Sequence, residues 1–254
     1  MIFETHAHYD DNRFNDDRNE LLQSMKDKNV GCIVNICADM KSVEPVIKLT
    51  KEYDFIYGSV GVHPDETQFL TENDIEVLRH SASDKKIVAI GEIGLDYYGE
   101  SVDKEIQKKW FIAQLNLAKE LDLPVVIHSR DALEDTMSIL NDYNGRCVMH
   151  CFSYSKEIAQ ILVKKDFYIG VGGVITFKNS KKLKESVEAV PLENILLETD
   201  CPYLAPEPFR GTRNDSSLIK YVVEKIAEIK NVSPQTVEDI TWNNALSFYN
   251  KISL

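Results

Sequence analysis

Short apolar segments alternate with longer amphipathic segments along almost the whole chain, and this alternation limits the possible folds more than any other feature. The short segments are apolar nearly throughout, which is typical of parallel strands that are buried on both faces. About eight strand–helix units follow one another without a linker or low-complexity tract. We therefore predict an α/β fold, the (β/α)8 TIM barrel. A doubly wound open sheet is the competing fold, but no Gly-x-Gly-x-x-Gly turn opens its first helix.

The predicted elements follow from the same alternation. The strands are expected at residues 2–8, 31–37, 55–60, 87–92, 124–128, 146–150, 167–171 and 195–200. The helices are expected at residues 15–28, 41–53, 72–82, 103–121, 132–140, 156–164, 181–189 and 216–230, with one more capped by Ser233-Pro234 and a last one at 242–250. Since barrels of this kind often reach about 250 residues undivided, we expect residues 1–254 to form one domain.

Composition narrows the functional classes. Hydrophobic residues make up 43% of the chain and charged residues 28%, as in soluble globular proteins. A formal net charge of −12 argues against a protein that coats duplex DNA, which needs a basic face. It does not exclude a nucleic-acid substrate at a metal-lined pocket, because bound cations reverse the local charge. The odd number of cysteines, five, favours reduced thiols, and no leader or membrane-spanning run is present, so we expect a cytoplasmic protein without a membrane partner. The sequence indicates no obligate protein partner.

Metal-binding side chains collect where the predicted strands end. His6 and His8 lie one pleat apart, so a strand would direct both imidazoles to the same side. Two such histidines alone are as easily surface residues as ligands. The chain adds His63, Glu92, His128, His150 and Asp200 at the ends of later strands, and of its six histidines only His80 lies elsewhere. Because a TIM barrel carries its chemistry at the carboxyl ends of its strands, this distribution predicts a metal site.

At these positions the chain resembles the TatD-family metal-dependent hydrolases. The motifs that carry the resemblance span nearly the whole chain: His6-x-His8, Gly61-Val62-His63-Pro64, and residues 89–98 (AIGEIGLDYY), 124–132 (PVVIHSRDA), 150–153 (HCFS), 170–177 (GVGGVITF), 197–206 (LETDCPYLAP) and 210–214 (RGTRN). The resemblance implies a metal-dependent deoxyribonuclease of the amidohydrolase superfamily with a TIM-barrel fold. It places the metal ligands at His6, His8, Glu92, His128, His150 and Asp200.

Three positions depart from the family pattern. Glu4 replaces the usual Asp, a like-charged change from which we expect no consequence. Asp65 replaces a second His after the His-Pro pair, so any role of that imidazole is lost or altered. Asn214-Asp215-Ser216 replaces Asn-Glu-Pro, which leaves the geometry of that loop open.

Two divalent ions are expected. His6 and His8 with Asp200 can hold one ion, while His128 and His150 hold the second and Glu92 bridges both. Two cations about 3.5–4 Å apart support metal-assisted hydrolysis of a phosphoryl group. Imidazole ligands favour Zn²⁺, Mn²⁺ or iron over Mg²⁺, although enzymes of this family often use Mg²⁺, so the identity of the metal stays open.

Other polar residues receive roles by position. Asp200 is the predicted general base, and Glu92 is the second predicted catalytic residue. Glu198, two residues before Asp200, is expected one layer deeper, where it would orient a histidine. His63 either contacts substrate or supports the ligands. Cys151 and Cys201 directly follow two of the predicted ligands. Because side chains alternate along a strand, we expect both cysteines to point away from the metals and to pack in the core.

Substrate recognition rests on the loops. Arg130, Lys178, Arg210 and Arg213 follow predicted strands five, seven and eight, and arginine suits phosphate oxygens, although each could instead pair with a nearby acid. Tyr97 and Tyr98 either stack on an unpaired base or pack at the rim.

The favoured function is a nuclease that acts on single-stranded DNA or frayed ends. The alternatives are a hydrolase of a small ester, amide or aminoacyl-nucleic-acid linkage, and a non-catalytic metal-bound scaffold.

Overall fold

A computed structural model of the chain describes residues 1–99 and 102–253. Within this part of the chain, eight strands form one sheet in the order β1 to β8 and alternate with helices, which confirms the (β/α)8 fold. The strands are β1 (Ile2–Ala7), β2 (Val30–Asn35), β3 (Ile56–Val60), β4 (Ile87–Asp96), β5 (Val125–Arg130), β6 (Cys147–Met149), β7 (Tyr168–Val171) and β8 (Ile195–Leu197).

The helices agree with the predicted segments, with two exceptions. They are α1 (Arg18–Gln23), α2 (Val43–Glu52), α3 (Glu72–Ser81), α4 (Lys104–Leu121), α5 (Leu133–Leu140), α6 (Lys156–Val163), α7 (Lys181–Ala189), α8 (Ile219–Lys230) and α9 (Pro234–Phe248). The helix predicted at 15–28 is shorter, because 3₁₀ turns flank it and Asn29 adopts a left-handed φ of 65°. The two helices predicted after Ser233 are one, α9, which starts where Ser233 Oγ accepts a hydrogen bond from Thr236 N.

Contacts divide the chain into two compact units, and the first consists of Met1–Asn35 and Cys151–Phe248. In this first unit β1 pairs with β2 and β7 pairs with β8, both in parallel. Thr5 donates through Oγ1 to the carbonyl of Leu197 at 2.7 Å, and a parallel bridge joins Ala7 to Cys201. The first strand of the sheet therefore lies beside the last one.

The second unit consists of Ile36–His150 and the C-terminal residues from Tyr249 onward. Strands β3 to β6 pair in parallel in sequence order. Strand β4 is the longest, and it passes very close to β5 at Gly94, whose φ is 145°. A Cβ atom at Gly94 would lie 1.9 Å from the carbonyl oxygen of His128. Only glycine therefore allows β4 to continue beside β5 past this point.

No helix in the described part of the chain is long and apolar enough to cross a membrane. The expectation that residues 1–254 form one domain stays a prediction.

Candidate metal centre

The strand ends differ from the predicted ones, which changes where the candidate ligands lie. Glu92 does not close β4, because the strand continues to Asp96. His128 likewise lies inside β5, which continues to Arg130. His6 lies inside β1. The other four candidates lie just past a strand end, namely His8 after β1, His63 after β3, His150 after β6 and Asp200 after β8.

In the first unit, backbone hydrogen bonds hold the segment after β8 against the end of β1. His8 N donates to the carbonyl of Cys201 at 2.8 Å, and Asp200 N donates to the carbonyl of His6 at 3.0 Å. Asp200 itself has a left-handed φ of 56°. Local backbone geometry therefore brings the Asp200 carboxylate to the two histidines.

Three side chains of the first unit converge on one point. The Nε2 atoms of His6 and His8 lie 3.1 Å apart, which confirms that both imidazoles face the same side. The Oδ1 atom of Asp200 lies 3.6 Å from Nε2 of His6 and 3.3 Å from Nε2 of His8. Ligands at about 2.0–2.1 Å from one tetrahedral ion are roughly 3.3 Å from each other. The spacing of these three atoms matches the edges of such a coordination shell.

Glu4 connects the backbone segments that carry His6 and Asp200. Its buried Oε1 accepts hydrogen bonds from His6 N and Thr199 N, both at 3.0 Å, so it connects β1 to the segment after β8. Burial raises the pKa of Glu4 to about 8, despite its hydrogen bonds to Thr199 and His6. Through these hydrogen bonds Glu4 ties the end of β1 to the segment that carries Asp200.

The second unit brings together Glu92, His128 and His150. The Oε1 atom of Glu92 lies 2.8 Å from Nδ1 of His128 and 2.8 Å from Nε2 of His150. These two ring nitrogens are 3.4 Å apart. Glu92 is only 4% exposed, so its charge is balanced by these neighbours and not by bulk water.

Asp96 is a site residue that the sequence analysis missed. Its Oδ2 lies 2.9 Å from Nε2 of His128, on the ring nitrogen opposite the one that faces Glu92. Gln107 of α4 fixes the Asp96 backbone through two hydrogen bonds of 2.8 Å. A signal was available, because Glu92 and Asp96 are four residues apart in one strand and so share a face.

His63 reaches the same group of atoms with a defined tautomer. Asp65 N donates to Nδ1 of His63 at 3.2 Å, so the neutral ring carries its proton on Nε2. This Nε2 lies 3.7 Å from Oε1 of Glu92. Burial lowers the pKa of His63, which keeps the ring neutral. The Oδ2 atom of Asp65 also lies 3.8 Å from Nδ1 of His63, so both the backbone and the side chain of Asp65 contact this histidine.

The donor atoms of both units suit a divalent cation. Each unit presents two imidazole nitrogens and one carboxylate oxygen at close range, a set that zinc, manganese or iron accepts. The Asp96 carboxylate on the far nitrogen of His128 is the typical outer partner of a metal-ligating histidine. The residues therefore fit the metal that the sequence predicts.

We expect metal binding to compete with a proton on His128. Burial alone lowers the pKa of this histidine, but the hydrogen bonds to Asp96 and Glu92 outweigh it and raise the pKa to about 9. Since a metal ligand must lose this proton, the apparent affinity for Zn²⁺ should rise with pH up to about 9, by at most about tenfold per unit.

The informative interval is pH 7.5–8.5, above the ordinary histidine pKa of about 6.5. A competition titration with a chromophoric chelator, corrected for the chelator's own protonation, measures the slope. Asp96→Asn removes one cause of the raised pKa of His128 and should flatten the slope. Equal Zn²⁺ affinity of the parent protein across this interval would contradict the assignment.

Glu198 and the two cysteines lie where strand alternation no longer applies. Glu198 accepts a hydrogen bond from Cys151 N at 2.6 Å, and its orienting role toward a histidine stays a prediction. The argument from alternation is wrong for Cys151 and Cys201, because both lie beyond strands that have already ended. Cys201 is nevertheless fully buried, as expected of a packing residue, whereas Cys151 is half-buried with a φ of 42°.

The loop that departs from the family at Asn214-Asp215-Ser216 is well connected. Buried Asn214 donates through Nδ2 to the carbonyls of Thr199 at 2.9 Å and Tyr203 at 2.7 Å. Asp215 caps the following turn by accepting from Ser217 N at 2.8 Å. Asn214 therefore holds the segment on both sides of Asp200 in place.

The loop arginines differ in what they contact. Arg213 forms an ion pair with Asp17 at 2.6 Å, so for this residue the alternative of pairing with a nearby acid is confirmed. Arg210 lies 4.4 Å above the ring of Phe177, and Arg130 lies 3.7 Å above the ring of Tyr98. Binding of phosphate by any of the three stays a prediction. Lys178 lines an open cavity together with Lys181, Lys184, Glu185, Glu188 and Ile229.

The remaining aromatic and histidine predictions also have outcomes. Tyr97 is half-buried and donates through its hydroxyl to Asp135 at 2.6 Å, which favours the packing alternative. Tyr98 is 59% exposed. His80 lies on α3 and is exposed, as predicted.

Comparisons with known proteins agree with these features. A family model described as TatD-related DNase matches residues 3–250. The chain is 43% identical over 248 residues to the uncharacterized metal-dependent hydrolase YabD of Bacillus subtilis, covering 96% of this chain and 97% of that protein. It is 34% identical to the uncharacterized metal-dependent hydrolase YcfH of Escherichia coli K12, covering 96% and 94%. The crystal structure of YjjV, a TatD homologue from Escherichia coli K12, has a TM-score of 0.93 at 30% identity, with 98% of each chain covered.

Proposed function

This chain belongs to the TatD family of metal-dependent hydrolases, and we propose that it cleaves phosphodiester bonds in DNA with the help of two divalent ions. The observation that carries the proposal is the convergence of Nε2 of His6, Nε2 of His8 and Oδ1 of Asp200 within 3.1–3.6 Å in the first unit. The name of the matching family supports DNA as the substrate. We also propose a reducing compartment such as the cytoplasm, because an odd number of cysteines, five, favours reduced thiols.

The six proposed ligands divide between the two ions. His6, His8 and Asp200 would hold one ion, and Glu92, His128 and His150 would hold the other. The distances within each unit support this division, and so does the rule that a (β/α)8 fold carries its active site at the carboxyl ends of its strands. Divalent ions at such a centre activate water and neutralise charge on a phosphoryl group.

The protein's own residues then move the protons. Asp200 accepts a proton from the attacking water as the water oxygen forms a bond to phosphorus. The bond from phosphorus to the leaving sugar oxygen breaks, and that oxygen takes up a proton from solvent. Asp96 keeps His128 in one orientation through its contact with Nε2. The Nε2 proton of His63 supplies a hydrogen-bond donor beside Glu92.

The net charge of the chain limits how it would bind a DNA substrate. With a net charge of −12 the chain attracts no polyanion at long range, so only local contacts can bind DNA. The exposed Arg130 is one such contact. We therefore expect hydrolysis of single strands and frayed ends, in the manner of an exonuclease, with a rate that falls as salt rises.

The purified, metal-reconstituted protein should be tested on end-labelled single-stranded DNA, closed circular duplex and a panel of small esters and amides. The expected result is preferential loss of the labelled single strand at low salt. Rapid hydrolysis of a small ester with no action on DNA would establish the alternative function. Equal, salt-insensitive digestion of the closed circle would contradict the preference for ends.

A further inference from the structure

An exposed tyrosine in the first unit carries an arginine on its face. The guanidinium carbon of Arg13 lies 3.9 Å from the ring centre of Tyr203, which is 48% exposed. Asp11 holds the guanidinium edge through two bonds, Nε to Oδ1 at 3.1 Å and Nη2 to Oδ2 at 2.9 Å. The hydroxyl of Tyr203 also lies 3.4 Å from Oδ2 of Asp11. These contacts hold the three side chains in one stack before any ligand binds.

This stack is joined directly to the candidate metal ligands of its unit. Tyr203 N donates to the carbonyl of Asp200 at 2.9 Å. Asp11 N donates to the carbonyl of His8 at 3.1 Å, and Arg13 is in the 3₁₀ turn that follows. The position of the stack is therefore set by the same backbone that positions His8 and Asp200.

The second unit repeats the arrangement with different residues. Arg130 lies 3.7 Å above the ring of Tyr98, and both side chains are exposed. Tyr98 N donates to Oδ1 of Asp96 at 2.8 Å, and Asp96 contacts His128. The first pair is thus connected to the candidate ligands His8 and Asp200, and the second pair to Asp96, the outer partner of the candidate ligand His128.

We propose that the pairs Arg13–Tyr203 and Arg130–Tyr98 are stacking subsites for unpaired nucleobases, each beside the candidate metal ligands of its own unit. The proposal rests on the proposed function and names the part of the substrate that is recognised. Tyrosine rings and guanidinium planes are the surfaces on which proteins stack splayed bases, because every base has a π face. Paired bases in a duplex do not offer this face.

The polar contacts favour a base over a phosphate at the first pair. Asp11 already occupies the hydrogen-bonding edge of Arg13 and balances its charge, so mainly the planar face is left for a ligand. Arg130 is exposed, so its guanidinium N–H groups can also donate to a phosphate oxygen. The two pairs therefore share the recognition of bases but differ in salt dependence.

A measurement of binding tests this proposal independently of hydrolysis. We would measure fluorescence anisotropy of a labelled single-stranded 8-mer and of the same strand built from abasic sugars, using Asp200→Asn protein in Zn²⁺. The base-bearing strand should bind more tightly. Tyr203→Leu should remove about 5- to 100-fold of that preference and leave the affinity for the abasic strand unchanged. Tyr98→Leu should act in the same way.

The controls test whether the ring itself matters. Tyr203→Phe and Tyr98→Phe keep the ring and should keep the preference. Phe55→Leu changes a half-buried aromatic residue just before β3, at the amino end of a strand, and should have no effect. Equal affinity of the parent for both strands, or no binding of either, would overturn the proposal. So would an equal loss on both strands in the leucine variants, which indicates a structural role. Failure of the nuclease proposal appears separately, as wild-type protein that binds the base-bearing strand without cleaving it.

Discussion

We expect Asp200→Asn to lower kcat on DNA by about 10²- to 10⁴-fold, the usual contribution of a general base, with little effect on folding. Asparagine keeps the volume of the side chain and one oxygen near Nε2 of His6 and His8. The backbone bond from residue 200 to the carbonyl of His6 also remains. What is lost is the negative charge and the ability to accept a proton from water.

Metal content must be measured with the rate, because the lost charge also weakens cation binding. The rate is therefore taken at saturating metal, and a thermal unfolding scan reports on folding. His80→Ala is the matched control, since His80 is exposed on α3 and has no assigned chemistry. Full metal content with turnover within a few-fold of the parent would show that Asp200 is not the base. An inactive His80→Ala variant would contradict the whole site assignment.

Glu92→Gln should have the largest effect on metal binding. The Oε1 atom of Glu92 lies 2.8 Å from one ring nitrogen each of His128 and His150, and glutamine nearly reproduces its shape without the charge. Replacing even an outer partner of a ligand lowers metal affinity by about 10- to 100-fold. We expect a loss at the upper end of that range or beyond, with a matching loss of hydrolysis.

Titration of Zn²⁺ into metal-free protein, followed by calorimetry, measures this change. Glu76→Gln is the control, because Glu76 is an exposed carboxylate on α3 that pairs with Arg79 in the same helix. A Glu92→Gln protein that binds metal and hydrolyses DNA like the parent would rule out Glu92 as a ligand.

Much of the fold was predictable because each apolar run has a simple physical meaning. Strands such as β4 and β8 are buried along their whole length, and a chain that alternates them with amphipathic helices has few other ways to bury them. The strand ends were less predictable. Strand β8 stops at Leu197 because the following segment turns to pair with β1 at Ala7, a contact between residues almost 200 positions apart.

Some features of the candidate site were also predictable from the sequence, and others were not. The pleat of one strand predicts that His6 and His8 meet, and the structure confirms it. Asp96 was within reach of the same rule, because it lies four residues after Glu92 on one strand. The stack of Arg13 on Tyr203 was not, since it depends on two loops that only the folded sheet brings together.

Elemental analysis of the purified protein, combined with a chelation cycle, tests the central claim most directly. The account predicts about two divalent ions per chain after reconstitution, loss of DNA hydrolysis when EDTA removes them, and recovery when Zn²⁺ or Mn²⁺ is returned. Protein that takes up no metal under reconstituting conditions and still hydrolyses DNA after EDTA treatment would contradict it.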